Sequence, residues 1–330
     1  MTPSYTDALS LEAEQHLRAQ YGTNGKRYGG IASWRTIARG SLHFITYRDF
    51  TQALYASHHP AQLHYGIWDL PSIHSFDAAI RRSSQLAYKG LNLTPSNKSR
   101  SIFHAGCGWG GVDIQLCQLN PHLHTVGVSI DPSQIEIAIK LTKLYNISSR
   151  AIFEKQNFLS LPAKWNHYFD GGIAMESFCH IPATQLSLLW QQHSRILKSK
   201  SRFVVHDWFL KRPPQGNAER HLFEDFLKGW DLPGSVSAKD MSDTAQNAGL
   251  REISRHDYTK YILKSADKNR FRAIIFAPIV KLSQMLPNSL SNTLGFTSSD
   301  ALDFIQTCKT QKYLFANGIL EYLQYVFEKP

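Results

Sequence analysis

The stretch 101–111, SIFHAGCGWGG, decides the fold of this 330-residue chain. Its apolar start has the composition of a short buried strand, and glycines follow at Gly106, Gly108, Gly110 and Gly111. Glycines at such a turn let the backbone bend tightly and approach a ligand without an intervening Cβ. The next nine residues predict a helix. The pattern therefore indicates a ligand-binding strand–turn–helix unit, although dehydrogenases share the same glycine spacing.

Apolar segments alternate with helical segments from this turn to about residue 210. Such alternation is typical of βαβ units and a parallel sheet. The segment 250–259 favours a further strand, and the final apolar stretch 319–330 favours an edge strand. We therefore expect an α/β fold, a doubly wound Rossmann-like sheet of about seven strands with the last one antiparallel. The five strands predicted from alternation lie near 101–105, 124–130, 151–158, 169–177 and 201–209.

Three parts of the chain have different expected roles within one domain. Residues 1–95 predict a helical N-terminal lid, and residues 96–210 predict the ligand-binding core. Residues 211–330 predict a helical cap with the closing strands. The polar segment 94–100, TPSNKSR, predicts a loop directly before the core.

Charge is unevenly distributed over these parts. The chain carries 36 Lys+Arg against 26 Asp+Glu, a formal net charge of +10, yet 101–250 holds 14 basic and 13 acidic residues. The basic residues outside this middle are scattered, whereas nucleic-acid binders more often show a dense basic stripe. A solvated surface is the plainest interpretation. Attraction of an anionic small substrate or an anionic membrane surface is the alternative.

Several classes of protein are excluded by composition. A hydrophobic fraction of 42% and a charged fraction of 19% are those of an ordinary globular protein. The four cysteines are far apart without a CxxC pair, which argues against a zinc site or a disulfide framework. No signal peptide and no apolar run of membrane-spanning length is visible. We expect a cytoplasmic protein without an integral membrane segment, and a homo-oligomer stays open.

Six segments in register resemble class I S-adenosylmethionine-dependent methyltransferases. More narrowly, they are similar to tocopherol, sterol and prenyl-diphosphate C-methyltransferases, plant alkaloid N-methyltransferases and cyclopropane fatty acid synthases. The resemblance covers about residues 40–210, and the ending 314–330 also resembles that branch. The matching segments are HYGIWD (64–69), HAGCGWGG (104–111), GVSIDPSQ (127–134), QNFLSLP (156–162), FDGGIAMESFCHIP (169–182) and HSRILKSKSRFVVHDW (193–208).

The resemblance implies eight residues that bind S-adenosylmethionine. Three glycines would face its methionine part, a serine and a glutamine its ribose, and an asparagine and a phenylalanine its adenine. His104 departs from the pattern, because the family usually has an acid there to meet the amino group. The eight residues are His104, Gly106, Gly108, Gly110, Ser129, Gln134, Asn157 and Phe158.

Three residues are candidates for the chemistry. Glu176 follows the fourth strand at the carboxyl edge, where a carboxylate takes a proton or stabilises a developing cation. Its plain alternative is an acid at a helix N-terminus facing water. His180 would share a helical face with Glu176 if a helix has begun there, and it would orient the acid, act as base or be structural. Tyr65 is the aromatic residue best placed for the site.

Aromatic side chains in the matching segments are candidates to line the substrate pocket, because aromatic faces suit a cationic donor and product. They are Trp68, Phe178 and Trp208, with ordinary core packing as the alternative for each. His58, His59 and His64 lack accompanying carboxylates, so no metal site is expected.

The expected reaction is methyl transfer from S-adenosylmethionine to a small, largely apolar acceptor of secondary metabolism. We favour carbon on an isoprenoid-like or aromatic acceptor, with N-methylation of an alkaloid-like amine as the alternative. Because His104 replaces the family's usual acid, a protein that binds the cofactor without catalysing a reaction is the alternative outside the enzymes. If the acceptor carries a diphosphate, Arg35, Arg39 and Arg48 are candidates to bind it. Magnesium is expected as a cofactor only in that case. The motif AMES (174–177) disfavours a nucleic-acid substrate.

Overall fold

The computed structural model describes residues 62, 64–93, 98–230, 232–283 and 298–330. Most of the predicted N-terminal lid therefore lies outside the described residues. The same holds for the diphosphate candidates Arg35, Arg39 and Arg48 and for the pair His58–His59.

Seven strands form one mixed sheet. They are β1 (Arg100–Ala105), β2 (Leu123–Ser129), β3 (Ala151–Lys155), β4 (Phe169–Met175), β5 (Leu197–Leu210), β6 (Arg251–Asp257) and β7 (Leu320–Glu328). Their spatial order is β3-β2-β1-β4-β5-β7-β6. The first five are mutually parallel, and β7 runs antiparallel to both β5 and β6. The predicted doubly wound α/β sheet with an antiparallel last strand is confirmed.

Helices cover both faces of this sheet. In the described part they are α1 (Phe76–Leu91), α2 (Gly111–Leu119), α3 (Pro132–Leu144), α4 (Leu186–Ile196), α5 (Gly216–Gly229), α6 (Ala238–Asn247), α7 (Thr259–Ser283) and α8 (Ser298–Ala316). Successive strand residues point to opposite faces. Ile102 accordingly packs with apolar residues of α1 and α2, whereas Phe103 packs with those of α4 and α6.

The position of β7 corrects one expectation. The sequence favours an edge strand at 319–330, but the structure inserts β7 between β5 and β6. Seven of its nine residues are buried, because both faces of the strand are covered. A near-continuous apolar run is typical of a strand inside a sheet. The exposed edge is β6, whose side chains are mostly in solvent.

The segment 64–69 and the helices α7 and α8 together cover the carboxyl edge of the sheet, and we call them the roof. Backbone hydrogen bonds fix the segment from two sides, with Ile67 N donating to Ala79 O and Trp68 N to Tyr261 O, each 3.0 Å. The Ser265 hydroxyl of α7 accepts from Gly66 N at 3.1 Å and donates to Gly66 O at 2.8 Å. The segment 64–69 is thus joined to α1 and to α7.

Among the described residues, no helix combines the length and the apolar character that a membrane span requires.

Candidate active site

The glycine turn after β1 has the geometry of a cradle. Gly106, Gly108 and Gly110 have φ angles of 71°, 53° and 74°, in the left-handed region that favours glycine. A Cβ on Gly106 would lie 2.4 Å from the Ser177 Cβ, and one on Gly110 would lie 2.4 Å from the Phe153 ring. A Cβ on Gly108 would meet nothing within 4 Å. The outer glycines are therefore required by protein packing, while the middle one faces open space that a cofactor can occupy.

The predicted ribose and adenine residues lie at the ends of the next two strands. Ser129 ends β2, and its hydroxyl donates to the Gln134 side-chain oxygen at 2.8 Å, so the two are adjacent. Asn157 follows β3, and its side-chain oxygen accepts from Leu159 N at 2.9 Å. The Phe158 ring approaches the glycine turn to 3.7 Å from the Cβ position of Gly106. These side chains therefore lie just after the carboxyl ends of β2 and β3, close to the glycine turn.

His104 is enclosed beneath α2. Its side chain is 1% exposed, and its Nδ1 lies 2.6 Å from an Asp113 carboxylate oxygen of α2. Its Nε2 has no partner among the described residues. Asp113 is itself completely buried, so this pair is enclosed between β1 and α2. The structure gives His104 no open face toward a ligand.

Glu176 is held at the centre of the carboxyl edge. Its backbone has a φ of 50°, and its amide donates to His206 O at 2.8 Å. One carboxylate oxygen accepts from Tyr65 N at 2.6 Å and from the Tyr322 hydroxyl at 2.8 Å. Burial disfavours the charged form and raises the pKa of Glu176 to about 8, although these two hydrogen bonds oppose the shift. The carboxyl group is therefore poised to exchange a proton near neutral pH.

The neighbouring residue ties Glu176 to the glycine turn. The Ser177 hydroxyl donates to Ala105 O at 2.7 Å, and Ser177 is the residue that a Cβ on Gly106 would strike. The sequence reasoning missed this contact, since Ser177 and Gly106 are 71 positions apart. It places the catalytic candidate beside the predicted cofactor cradle.

A second buried carboxyl group lies next to Glu176. Asp207 accepts from Cys179 N at 3.0 Å and from Trp208 N at 2.9 Å. Burial raises the pKa of Asp207 to about 7 against the effect of these amides. Its role is to anchor the turn after Glu176, because both of its oxygens are engaged with backbone amides.

The helical face that Glu176 and His180 would share depends on a helix beginning there, and no α-helix begins at these residues. Glu176 is in the left-handed region, and only a short 3₁₀ turn, Phe178–His180, follows it. His180 has a buried Nδ1 without a partner among the described residues. Burial lowers its pKa to about 4, so the imidazole is neutral at pH 7.

Tyr65 is a wall of the site whose backbone holds the acid. Its ring packs edge-on against Phe315 at 5.7 Å and against Tyr322 at 5.8 Å between centroids. Its hydroxyl donates to the side-chain oxygen of Gln311 on α8. Burial raises the pKa of Tyr65 well above its ordinary value, so this phenol stays neutral.

The three predicted pocket aromatics have different surroundings. Phe178 is completely buried in the core, where it stacks on Phe203 at 5.8 Å, so we leave it out of the pocket. Trp208 belongs to the same apolar cluster as Tyr65. Trp68 donates from Nε1 to the Ser265 hydroxyl at 2.9 Å, and its ring carries the Lys264 ammonium at 4.0 Å. Only Trp208 therefore shares the apolar surroundings of Tyr65.

Two polar residues of this site were missed by the sequence reasoning. Tyr322 lies in the C-terminal stretch whose resemblance to the family was noted, and pairing of β5 with β7 sets it opposite Trp208. Gln311 gives no local signal, because only the packing of α8 against the segment 64–69 brings it to Tyr65.

No group of three or more His, Cys, Asp or Glu side chains in the described ranges is arranged to hold a metal ion.

Taken together, a seven-stranded sheet with an antiparallel β7 and a glycine cradle after β1 define a Rossmann-like methyltransferase. The chain belongs to the methyltransferase-domain family, whose model matches residues 96–264. The protein is an S-adenosylmethionine-dependent methyltransferase acting on small molecules.

Curated relatives support this membership. The chain is 28% identical over 207 residues to 27-O-demethylrifamycin SV methyltransferase of Amycolatopsis mediterranei, covering 62% of this chain and 72% of that protein. It is 28% identical over 187 residues to sterol 24-C-methyltransferase ERG6 of Saccharomyces cerevisiae, covering 56% of this chain and 46% of that protein. It therefore spans less than half of the sterol enzyme.

Solved structures show the same fold. The cyclopropane synthase MmaA2 of Mycobacterium tuberculosis has a TM-score of 0.68 at 12% identity, covering 81% of this chain and 90% of that one. Geranyl diphosphate C-methyltransferase of Streptomyces coelicolor, solved with Mg²⁺, geranyl diphosphate and S-adenosyl-L-homocysteine, has a TM-score of 0.58 at 15% identity, covering 82% and 92%.

Proposed function

We propose that the protein methylates carbon on a small, largely apolar acceptor, isoprenoid-like or aromatic, of secondary metabolism, with Glu176 as the general base. The observation that carries this proposal is the position of the Glu176 carboxyl group. It lies between the glycine turn, through Ser177, and the aromatic residues Tyr65 of the roof and Tyr322 of β7.

S-adenosylmethionine, when bound, supplies an electrophilic methyl group on a positively charged sulfur. Gly106, Gly108, Gly110, Ser129, Gln134, Asn157 and Phe158 would hold it. Positive charge near a carboxyl group favours the ionised form. We therefore expect the pKa of Glu176 to fall on cofactor binding, which increases the fraction of base available.

Glu176 is the stronger of the two candidate bases. Burial raises the pKa of Glu176 to about 8 and lowers the pKa of His180 to about 4, so Glu176 is the more basic of the two. A carbon–carbon bond would form at a double bond of the acceptor as the methyl–sulfur bond of the cofactor breaks, which would leave neutral S-adenosyl-L-homocysteine and a carbocation on the acceptor. Loss of a proton from the adjacent carbon to the Glu176 carboxylate restores the double bond. His180 is then a neutral neighbour of the reacting groups.

The aromatic residues around Glu176 suit a carbocation formed on the acceptor. The Tyr65 ring packs edge-on against the ring of Tyr322, whose hydroxyl donates to the carboxylate, and Trp208 and Phe226 extend the same apolar cluster. Aromatic faces attract a cation, and an apolar enclosure excludes water that would trap it. The aromatic surroundings of Glu176 therefore favour methyl transfer to carbon of an apolar acceptor.

O-methylation is a second candidate. A base of raised pKa also removes a proton from a hydroxyl group, and the Amycolatopsis relative is named for an O-methylation. The alkaloid-like amine has no comparable support among the described residues. The residues expected to bind a diphosphate acceptor with magnesium are Arg35, Arg39 and Arg48, which lie outside the described ranges.

The test is transfer of labelled methyl from S-adenosylmethionine onto a panel of prenyl diphosphates, polyprenyl and sterol alkenes, phenols and indole amines. We expect label on carbon of an alkene or arene, and loss of it in Glu176→Gln. Label confined to oxygen would favour the second candidate. Label confined to nitrogen, or full activity of Glu176→Gln, would contradict the proposal.

A further inference from the structure

The helix α7 exposes an apolar stripe on the outside of the roof. Phe271, Ile274 and Ile275 are 65%, 49% and 51% exposed, although most large apolar side chains among the described residues are buried. Phe271 and Ile275 are one turn apart and lie on one face. The opposite face holds the buried Ala273 and Ala277, which pack against α8.

Lysines continue this stripe toward the start of the helix. Lys264 and Lys268 precede Phe271 and Ile275 at spacings of four, three and four residues, so all four share one face. The sequence of α7 contains six basic residues and one acid. That acid, Asp267, forms an ion pair with Lys312 of α8 at 2.6 Å. The exposed face of α7 is therefore both apolar and strongly positive.

The stripe adjoins the segment that holds the catalytic candidate. The Lys264 ammonium lies 4.0 Å from the centre of the Trp68 ring, and Lys268 lies 5.8 Å from it. Trp68 is bonded to Ser265 of α7, and three residues before it Tyr65 donates its amide to Glu176. An apolar molecule arriving at this face would meet the outer side of the roof.

We propose that this face of α7, built from Lys264, Lys268, Phe271, Ile274 and Ile275, docks on an anionic phospholipid bilayer. Exposed Phe and Ile among Lys are the composition of helices that lie in the membrane interface. Clustered lysines are attracted to anionic headgroups, each strengthening binding about fivefold. The enzyme rests on the surface, and an apolar acceptor dissolved in the bilayer is presented next to the roof.

The experiment is cosedimentation of the full chain with vesicles of phosphatidylcholine alone or with one quarter phosphatidylglycerol, without acceptor or cofactor. We expect binding to the anionic vesicles that weakens with salt. The variant F271E/I275E should bind at least tenfold more weakly, and K264Q/K268Q should lose both affinity and much of the salt dependence. Because no methyl transfer is measured, the result is independent of the proposed reaction.

Ile139→Glu is the matched control, since Ile139 is a 40% exposed isoleucine on α3, away from the roof. It should bind vesicles like the unchanged protein. Thermal unfolding of each variant shows whether it is folded. Absence of binding to anionic vesicles would overturn the proposal. So would a dimer in gel filtration that F271E/I275E converts to monomer without vesicle binding, because the stripe would then serve a second copy of the chain.

Discussion

The cofactor side and the roof of this enzyme are built in different ways. The glycine turn, Ser129 and Gln134 are positioned by short segments, each directly after a strand of the parallel sheet. The roof depends on contacts between distant residues, such as Tyr65 with Gln311, 246 positions apart. Glu176 belongs to both, since its neighbour Ser177 contacts the turn and its carboxylate contacts the roof. Cofactor binding and proton transfer should therefore be separable by mutation.

The largest difference between the effect on catalytic rate and the effect on cofactor binding is expected for Glu176→Gln. Removing a positioned base costs about 10²- to 10⁴-fold in rate. Binding of S-adenosyl-L-homocysteine, measured by calorimetry, should change less than about threefold, because the turn itself is untouched. Glu224→Gln, on the exposed surface of α5, is the control and should keep full activity. A joint loss of binding and rate would mean that the two regions are one unit.

The variant Gly108→Ala is expected to change cofactor binding directly, without changing the Glu176 carboxyl group. A Cβ there would enter the open space of the cradle, so S-adenosyl-L-homocysteine should bind at least about tenfold more weakly. Gly249→Ala is matched, because Gly249 also has a positive φ, 82°, and open space for a Cβ, but lies far from the turn. Both changes should destabilise the fold by about 1 kcal/mol through backbone strain. Equal affinity in the two variants would show that Gly108 does not face the cofactor.

The sequence predicts these two regions unequally. Glycines at 106, 108 and 110 and the strand–helix alternation predict the sheet and the turn, because local backbone requirements fix them. The sequence also predicts Tyr65 of the roof and Trp208 of β5 as aromatic residues near the site. The partners Tyr322 and Gln311 are not predictable, since only the insertion of β7 and the packing of α8 bring them to Tyr65. The apolar run of β7 itself indicated a strand, but its interior position required the sheet order.

A smaller effect is expected for Tyr322→Phe. The lost hydroxyl stabilises the ionised carboxylate, so the pKa of Glu176 should rise further and the rise of kcat/KM with pH should move to higher pH. We expect roughly tenfold lower activity at pH 7. Tyr325→Phe, on the same strand with its hydroxyl donating to Ala238 O, is the control for stability. An unshifted pH profile in Tyr322→Phe would contradict the hydrogen bond's role.

The smallest effect is expected for His180→Gln. Because burial holds the pKa of His180 near 4, the neutral ring transfers no proton at pH 7. Activity should fall less than about threefold, and the midpoint of the pH profile should not move. A loss of two orders of magnitude would transfer the role of base from Glu176 to His180.

The most direct test of the account is the ionisation of Glu176 itself, followed by infrared spectroscopy without acceptor. The difference between the unchanged protein and Glu176→Gln isolates this group from the buried Asp207. We predict a protonated carboxyl band that disappears with a midpoint near pH 8, and at lower pH when the cofactor is bound. A carboxylate already ionised at pH 5 would contradict the claim that the roof poises Glu176 as a base.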